Sequence, residues 1–143
     1  MNRQSLNRQV KRTKLPKQNK HGNVKCEIDG FKFDSKAERR YYLKLKQLKA
    51  AGKVIDFEMQ KPFVIFEGFS KNGKKYQAIT YKADFFVTYA DGEQVVIDVK
   101  GQDKVTADFA IKFKLFHAQY PYRFIIARYN YNTKRFIERE SLR

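Results

Sequence analysis

Between Thr80 and Gly101 the chain reads TYKADFFVTYADGEQVVIDVKG, two strand-like runs joined by a turn at Asp91-Gly92. Val95, Val96, Ile97 and Val99 give the second run the β-propensity and apolarity of a buried inner strand. It nevertheless ends in Asp98 and Lys100, with Asp84 on the partner strand. Burying an unpaired carboxylate costs on the order of several kcal/mol, comparable with the whole stability of a small domain. A metal ion, an ion-pair partner or solvent must therefore meet these charges.

The loop length decides which residues share a face, because directly opposed residues of an antiparallel pair point the same way. A two-residue loop would set Asp84 against Val99 and Phe85 against Asp98, mixing apolar and charged on both faces. A three-residue loop, Ala90-Asp91-Gly92 with Gly92 left-handed, sets Phe85 on Ile97, Ala83 on Val99 and Val87 on Val95. One face then becomes wholly apolar. The other is expected to collect Asp84 beside Asp98 and Lys82 beside Lys100. Side-by-side carboxylates raise each other's pKa unless a cation lies between them, and a hard divalent ion with oxygen ligands suits the place. The alternative is an ion-pair cluster in which Lys82 and Lys100 satisfy the two acids.

A formal net charge of +16 on 143 residues makes a polyanionic partner the economical explanation of the surface. No apolar run approaches the length of a membrane span, so no membrane partner is expected. The polar Met1–Gln9 start is not a signal peptide. No Gly-rich phosphate-binding motif is present, so no nucleotide cofactor is expected. The single cysteine, Cys26, excludes internal disulfides and fits a reducing cytoplasm.

Residues 1–23 read as a basic, disordered arm: Arg3, Arg8, Lys11, Arg12, Lys14, Lys17 and Lys20 occur without a carboxylate. Residues 24–143 read as one α/β domain. A hairpin turning at Asp29-Gly30 comes first. Ser35-Lys36-Ala37-Glu38 then has the capping-box pattern of a helix whose stripe is Ala37, Tyr41, Leu45 and Leu48, ending at Gly52. Two strands are expected at residues 53–59 and 63–69, with Pro62 between them marking a break or an edge, followed by a polar loop over Ser70–Lys75 with an Asn-Gly turn signal. After the central hairpin, a helix capped by Thr106 or Asp108 carries Phe109, Phe113, Phe116 and Tyr120, and Pro121 stops it. A β-rich run over Tyr122–Tyr129, a turn at Asn130–Thr133 and a charged end complete the chain.

The elements and acids together resemble the PD-(D/E)XK nuclease superfamily. Ala83-Asp84 stands where that signature has Pro-Asp, and Asp98-Val99-Lys100 is similar to its acid-x-Lys triplet. Glu38, in FDSKAERRYY, resembles the acid on the preceding helix. The wording FDSKAE, YKADF and DVKG is most similar to small phage-type endonucleases and the TnsA-like nuclease subunit. The resemblance covers roughly residues 24–129. It implies a restriction-endonuclease-like core, a mixed central sheet with flanking helices in the order α-β-β-β-α-β, and Mg2+- or Mn2+-dependent hydrolysis of DNA phosphodiester bonds, including branched or junction DNA.

By that resemblance Asp84, Asp98, Glu38 and the Val99 carbonyl would hold metal, and Lys100 would orient the attacking water or stabilise the transition state. Gln60 would support the site. Lys36, Arg39, Arg40, Lys82, Lys104, Lys112 and Lys114 would contact DNA. A bacterial or phage-infected cytoplasm is the matching location. A homodimer is what a junction-cutting member would need, although no interface signature stands out. The competing reading is a non-catalytic basic nucleic-acid-binding module, which would have no use for two carboxylates on one face because they repel phosphate.

Overall fold

The computed structural model describes residues 26–101 and 105–142; the basic arm and Lys104 lie outside them. Strands β1 (Cys26–Ile28) and β2 (Phe31–Phe33) form the expected hairpin. Asp29 and Gly30 turn it with φ of 53° and 80°, as a two-residue turn between twisted strands requires. Helix α1 (Lys36–Ala50) starts where Ser35 accepts the Glu38 amide at 3.1 Å. It ends at Gly52, φ 76°, with Gly52 N–H bonded to Lys49 O and Lys53 N–H to Leu48 O, the paired bonds of a Schellman stop. The capping pattern at one end and the glycine at the other thus set the helix length.

Five strands form the central sheet in the order β3 (Val54–Phe66), β6 (Ile79–Tyr89), β7 (Gln94–Lys100), β8 (Arg123–Asn130), β9 (Arg135–Arg139). Only β7 and β8 are parallel, and helix α2 (Ala107–Gln119) supplies the crossover between them. Thr106, one of the two expected caps, accepts the Phe109 amide at 3.1 Å. The molecule is therefore a mixed α/β domain with a helix on each side of the sheet. Ala37, Tyr41 and Leu45 of α1 pack with Val95 and Ile97, whereas Phe109 and Phe116 of α2 pack with Val96. Since Val95, Val96 and Ile97 alternate along one strand, the two helices cover opposite faces. Among the described residues no helix is long and apolar enough to cross a membrane.

Of the two readings of Pro62 the edge holds and the break does not: β3 runs through it as a single strand paired to Lys82. It is tolerated because β3 is an edge strand of this sheet, so the missing N–H costs no ladder bond on the open side. Ser70–Lys75 is not a loop. Strands β4 (Phe69–Lys71) and β5 (Lys74–Tyr76) pair there around Asn72-Gly73, with φ of 50° and 73°.

The loop between β6 and β7 has the expected three residues. Phe85 pairs with Ile97 and Val87 with Val95, Tyr89 N–H bonds Glu93 O at 2.9 Å, and Gly92 takes φ 88°.

Candidate active site at the open end of the central hairpin

Moving away from that turn, the β6–β7 ladder stops at Phe85–Ile97. The expected pairs Ala83–Val99, Asp84–Asp98 and Lys82–Lys100 are not formed. Instead the Asp84 carboxylate inserts where a backbone carbonyl would have been, and Val99 N–H donates to its Oδ2 at 2.8 Å.

The cause lies in the neighbouring strand. Gln60 adopts φ 54° and, with Asp84, falls between the paired residues Met59–Phe85 and Lys61–Ala83. Side chains normally alternate, yet Phe85 packs in the α1-side core while Ala83 and Tyr81 pack in the α2-side core. Both strands change face at Gln60 and Asp84. The expected apolar face made of Ala83, Phe85 and Val87 therefore does not exist as one surface. Nor do the two aspartates share a face: Asp84 is directed to the α1 side and Asp98 to the α2 side, and their charges act on each other where β6 and β7 part.

On the α1 side Asp84 lines a cavity of about 180 Å3 with Glu38, Gln60, Asp34, Lys32 and Phe85. Gln60 Nε2 is 3.4 Å from Asp84 Oδ1. Burial, then the charges of Asp98 and Glu38, push the Asp84 carboxyl well above the usual carboxylate range. Burial, then the Asp34 charge, lifts Glu38 to about 7, against the pull of its Ser35 hydrogen bond; the Asp98 charge adds to the rise. Glu38 is thus a capping-box residue whose carboxyl also faces the two aspartates.

On the α2 side Asp98 is 5% exposed, the one buried charged residue among those described. Tyr81 Oη donates to its Oδ1 at 2.8 Å. Burial and the two aspartate charges push the Tyr81 phenol upward, so it remains a donor. Lys100 Nζ lies 2.9 Å from Asp98 Oδ2 and 4.0 Å from the centre of the Phe109 ring. That ion pair lacks hydrogen-bond geometry, and Oδ2 is a buried oxygen without a hydrogen-bond donor. Lys82, Lys100 and Lys112 line a second, more open cleft of about 430 Å3 together with Thr80, Thr106 and Asp108.

The structure thus brings together Glu38, Asp84, Asp98 and Lys100, with Gln60 beside them and Lys82 and Lys112 at the adjoining cleft. Val99 offers its amide to the site. Lys112 also pairs with Asp108 at 3.3 Å. Lys36, Arg39 and Lys114 are exposed away from either cavity lining. Arg40 is half-buried. Its guanidinium lies 4.6 Å from the Tyr129 ring and 5.5 Å from the Tyr131 ring, with Nη1 buried. Tyr81 is not among the residues expected from the sequence, because strict alternation puts it on the same face as Phe85. A buried aspartate requires a donor, and that requirement is the signal that points to it.

Among the described residues no group of three or more His, Cys, Asp or Glu side chains is arranged to hold a metal ion. A family model described as a protein of unknown function, DUF1064, matches residues 18–134, most of the chain. No curated protein and no solved structure matches it. The chain belongs to the DUF1064 family.

Proposed function

We propose that this protein is a metal-dependent endonuclease that hydrolyses phosphodiester bonds in DNA, built on a restriction-endonuclease-like core. The observation that carries the reading is the pair of desolvated carboxylates at the opened ladder. Asp84 is held in a raised-pKa setting, and Asp98 keeps one buried oxygen without a hydrogen bond, beside an ammonium. A fold spends stability on such a cluster when a cation is to relieve it. Those oxygens suit a hard divalent ion: Asp84 and Asp98 would hold Mg2+ or Mn2+, with Glu38 close enough to act on both through its charge. When bound, the ion supplies Lewis acidity and a water of lowered pKa.

The chain's own groups have distinct work. Tyr81 and the Val99 amide each fix one oxygen of a carboxylate and so set its orientation. Lys100 places a positive charge where the attacking water or the phosphate's developing charge would be. Lys82 and Lys112 make the adjoining cleft attractive to the phosphate backbone. A purely structural ion pair has the Lys100–Asp98 contact in its favour, but it leaves the desolvated Asp84 without a cation of its own. A non-catalytic nucleic-acid binder would gain nothing from three acids gathered around Lys100, because carboxylates repel phosphate.

The test is cleavage of supercoiled plasmid and forked DNA with Mg2+, Mn2+ or EDTA. Metal-dependent cutting is expected, with Asp84→Ala abolishing it while DNA binding persists. Cutting that survives EDTA, or its absence on every substrate, sinks the proposal.

A further inference from the structure

The β4–β5 hairpin stands apart from both cores. It emerges from the β3–β6 pair where β3 ends at Phe66 and β6 begins at Ile79, five residues before Asp84. Its three-residue strands are exposed throughout. Phe69 and Tyr76 stack on one another at 4.7 Å between ring centres and 9° between planes, and Phe66 meets Phe69 edge-on at 6.1 Å. None is hidden: Phe66, Phe69 and Tyr76 are 42–47% exposed. Lys71, Lys74 and Lys75 ring the tip, and none makes an ion pair among the described residues. Lys74 lies 5.4 Å from the Tyr76 ring centre.

We propose that this hairpin is a nucleic-acid-gripping arm that takes an unpaired strand, its lysines on phosphates and its aromatic pair against bases. Exposed rings interleaved with cations are what sequence-tolerant stacking on single strands uses. Charge complementarity selects this occupant over a second copy of the chain. Two such tips brought together would set unpaired lysines against lysines, whereas a polyanion neutralises them. Tyr76 is eight residues from Asp84, so the arm would hold nucleotides within roughly 25 Å of the cleaved bond.

Gly68 fixes where the arm leaves the sheet. A Cβ there would meet the Tyr76 carbonyl oxygen at 2.9 Å and the Ala78 nitrogen at 3.0 Å, both backbone atoms. The inference rests on the nucleic-acid part of the function proposed above and adds where an unpaired strand is held.

The test measures binding of the full chain in EDTA, so that cleavage plays no part, to blunt duplex and to forked DNA by fluorescence anisotropy. Melting temperature and gel-filtration elution are recorded alongside. Changing Lys71, Lys74 and Lys75 together to Ser should weaken both substrates about tenfold and flatten the salt dependence by roughly 0.9 for each phosphate no longer neutralised. Tyr76→Ala should weaken only the fork, by about fivefold or more. Gly68→Ala should lower fork affinity with every arm side chain still present.

Wild-type affinity in all three variants, with melting unchanged, overturns the arm while leaving cleavage intact. Equal losses on fork and duplex for Tyr76→Ala overturn stacking on unpaired bases. A dimer that the variants dissociate, with DNA affinity unchanged, makes the surface a self-interface and overturns the proposal. Loss of fork binding in a chain that cuts nothing upholds the arm and sinks the nuclease reading instead.

Discussion

At its turn, the β6–β7 hairpin is closed. The Ala90-Asp91-Gly92 loop completes the Tyr89–Glu93 backbone bond. Glu93 meets Arg123 at 3.0 Å, and Arg123 also meets Glu140, all three near the surface. At the other end the same two strands part after Phe85–Ile97. There the charges face inward, and a side-chain carboxylate replaces a strand's carbonyl. One end satisfies its backbone first and leaves its ions to water, where a pair contributes little. The other leaves backbone pairing incomplete and keeps acids desolvated, a cost that only a function at that spot explains. A sheet's stability and its chemistry can thus sit at opposite ends of one hairpin.

Substitutions can break the contrast. Lys100→Ala at the open end is expected to lower the cleavage rate by about a hundredfold or more, the scale of losing one charge-stabilising donor. Glu93→Ala at the turn should leave cleavage unchanged and shift stability by no more than about 0.5 kcal/mol. Equal effects of the two on cleavage would erase the distinction.

Stability should run the opposite way. Asp84→Asn keeps an acceptor for the Val99 amide and removes a half-buried charge, so metal-free protein should gain on the order of 1–2 kcal/mol in urea unfolding. A loss there would favour the purely structural reading.

The pH dependence sharpens the same point. Asp84 and Glu38 both favour the protonated form in the folded chain. Their contribution is therefore complete below their unfolded values near pH 4 and is lost as pH rises, for Glu38 through about 7. Asp29 and Asp56 shift downward, chiefly through hydrogen bonds from Lys46 and Lys49; their contribution is complete above about pH 4 and is constant in this window. Metal-free Tm should fall by a few degrees between pH 5 and 7.5, and less in Asp84→Asn.

Gly92→Ala should touch stability alone. At φ 88° an added Cβ meets open space, so only the left-handed backbone is strained, at about 1–2 kcal/mol, with cleavage retained.

The turn end was legible in the sequence and the open end only in part. Apolar alternation over Val95–Val99 and Phe85–Val87, with a glycine able to take positive φ, determines one register, and that register is found. The helix limits follow from Ser35, Gly52 and Thr106 for equally local reasons. Period-two alternation fails at Asp84 because its cause is the left-handed Gln60, a residue on another strand with no glycine to announce it. The face of Tyr81, and with it the donor to Asp98, was hidden by the same twist. Pro62 left a break and an edge open, and the sheet order, with β3 outermost, decides between them. Arg40 could not be told from a free cation, since its aromatic partners, Tyr129 and Tyr131, arrive from the far end of the chain.

The central claim is that the open end keeps its carboxylates desolvated for a divalent ion. The most direct measurement is the melting temperature of the full chain at pH 7.5, with EDTA and with Mn2+, for wild type, Asp84→Asn and Asp98→Asn. Binding to the folded form alone raises stability in proportion to the logarithm of ion concentration above Kd. Mn2+ should therefore raise the wild-type Tm by several degrees and leave both variants nearly unmoved. An unchanged wild-type Tm, or equal shifts in all three proteins, would contradict the claim.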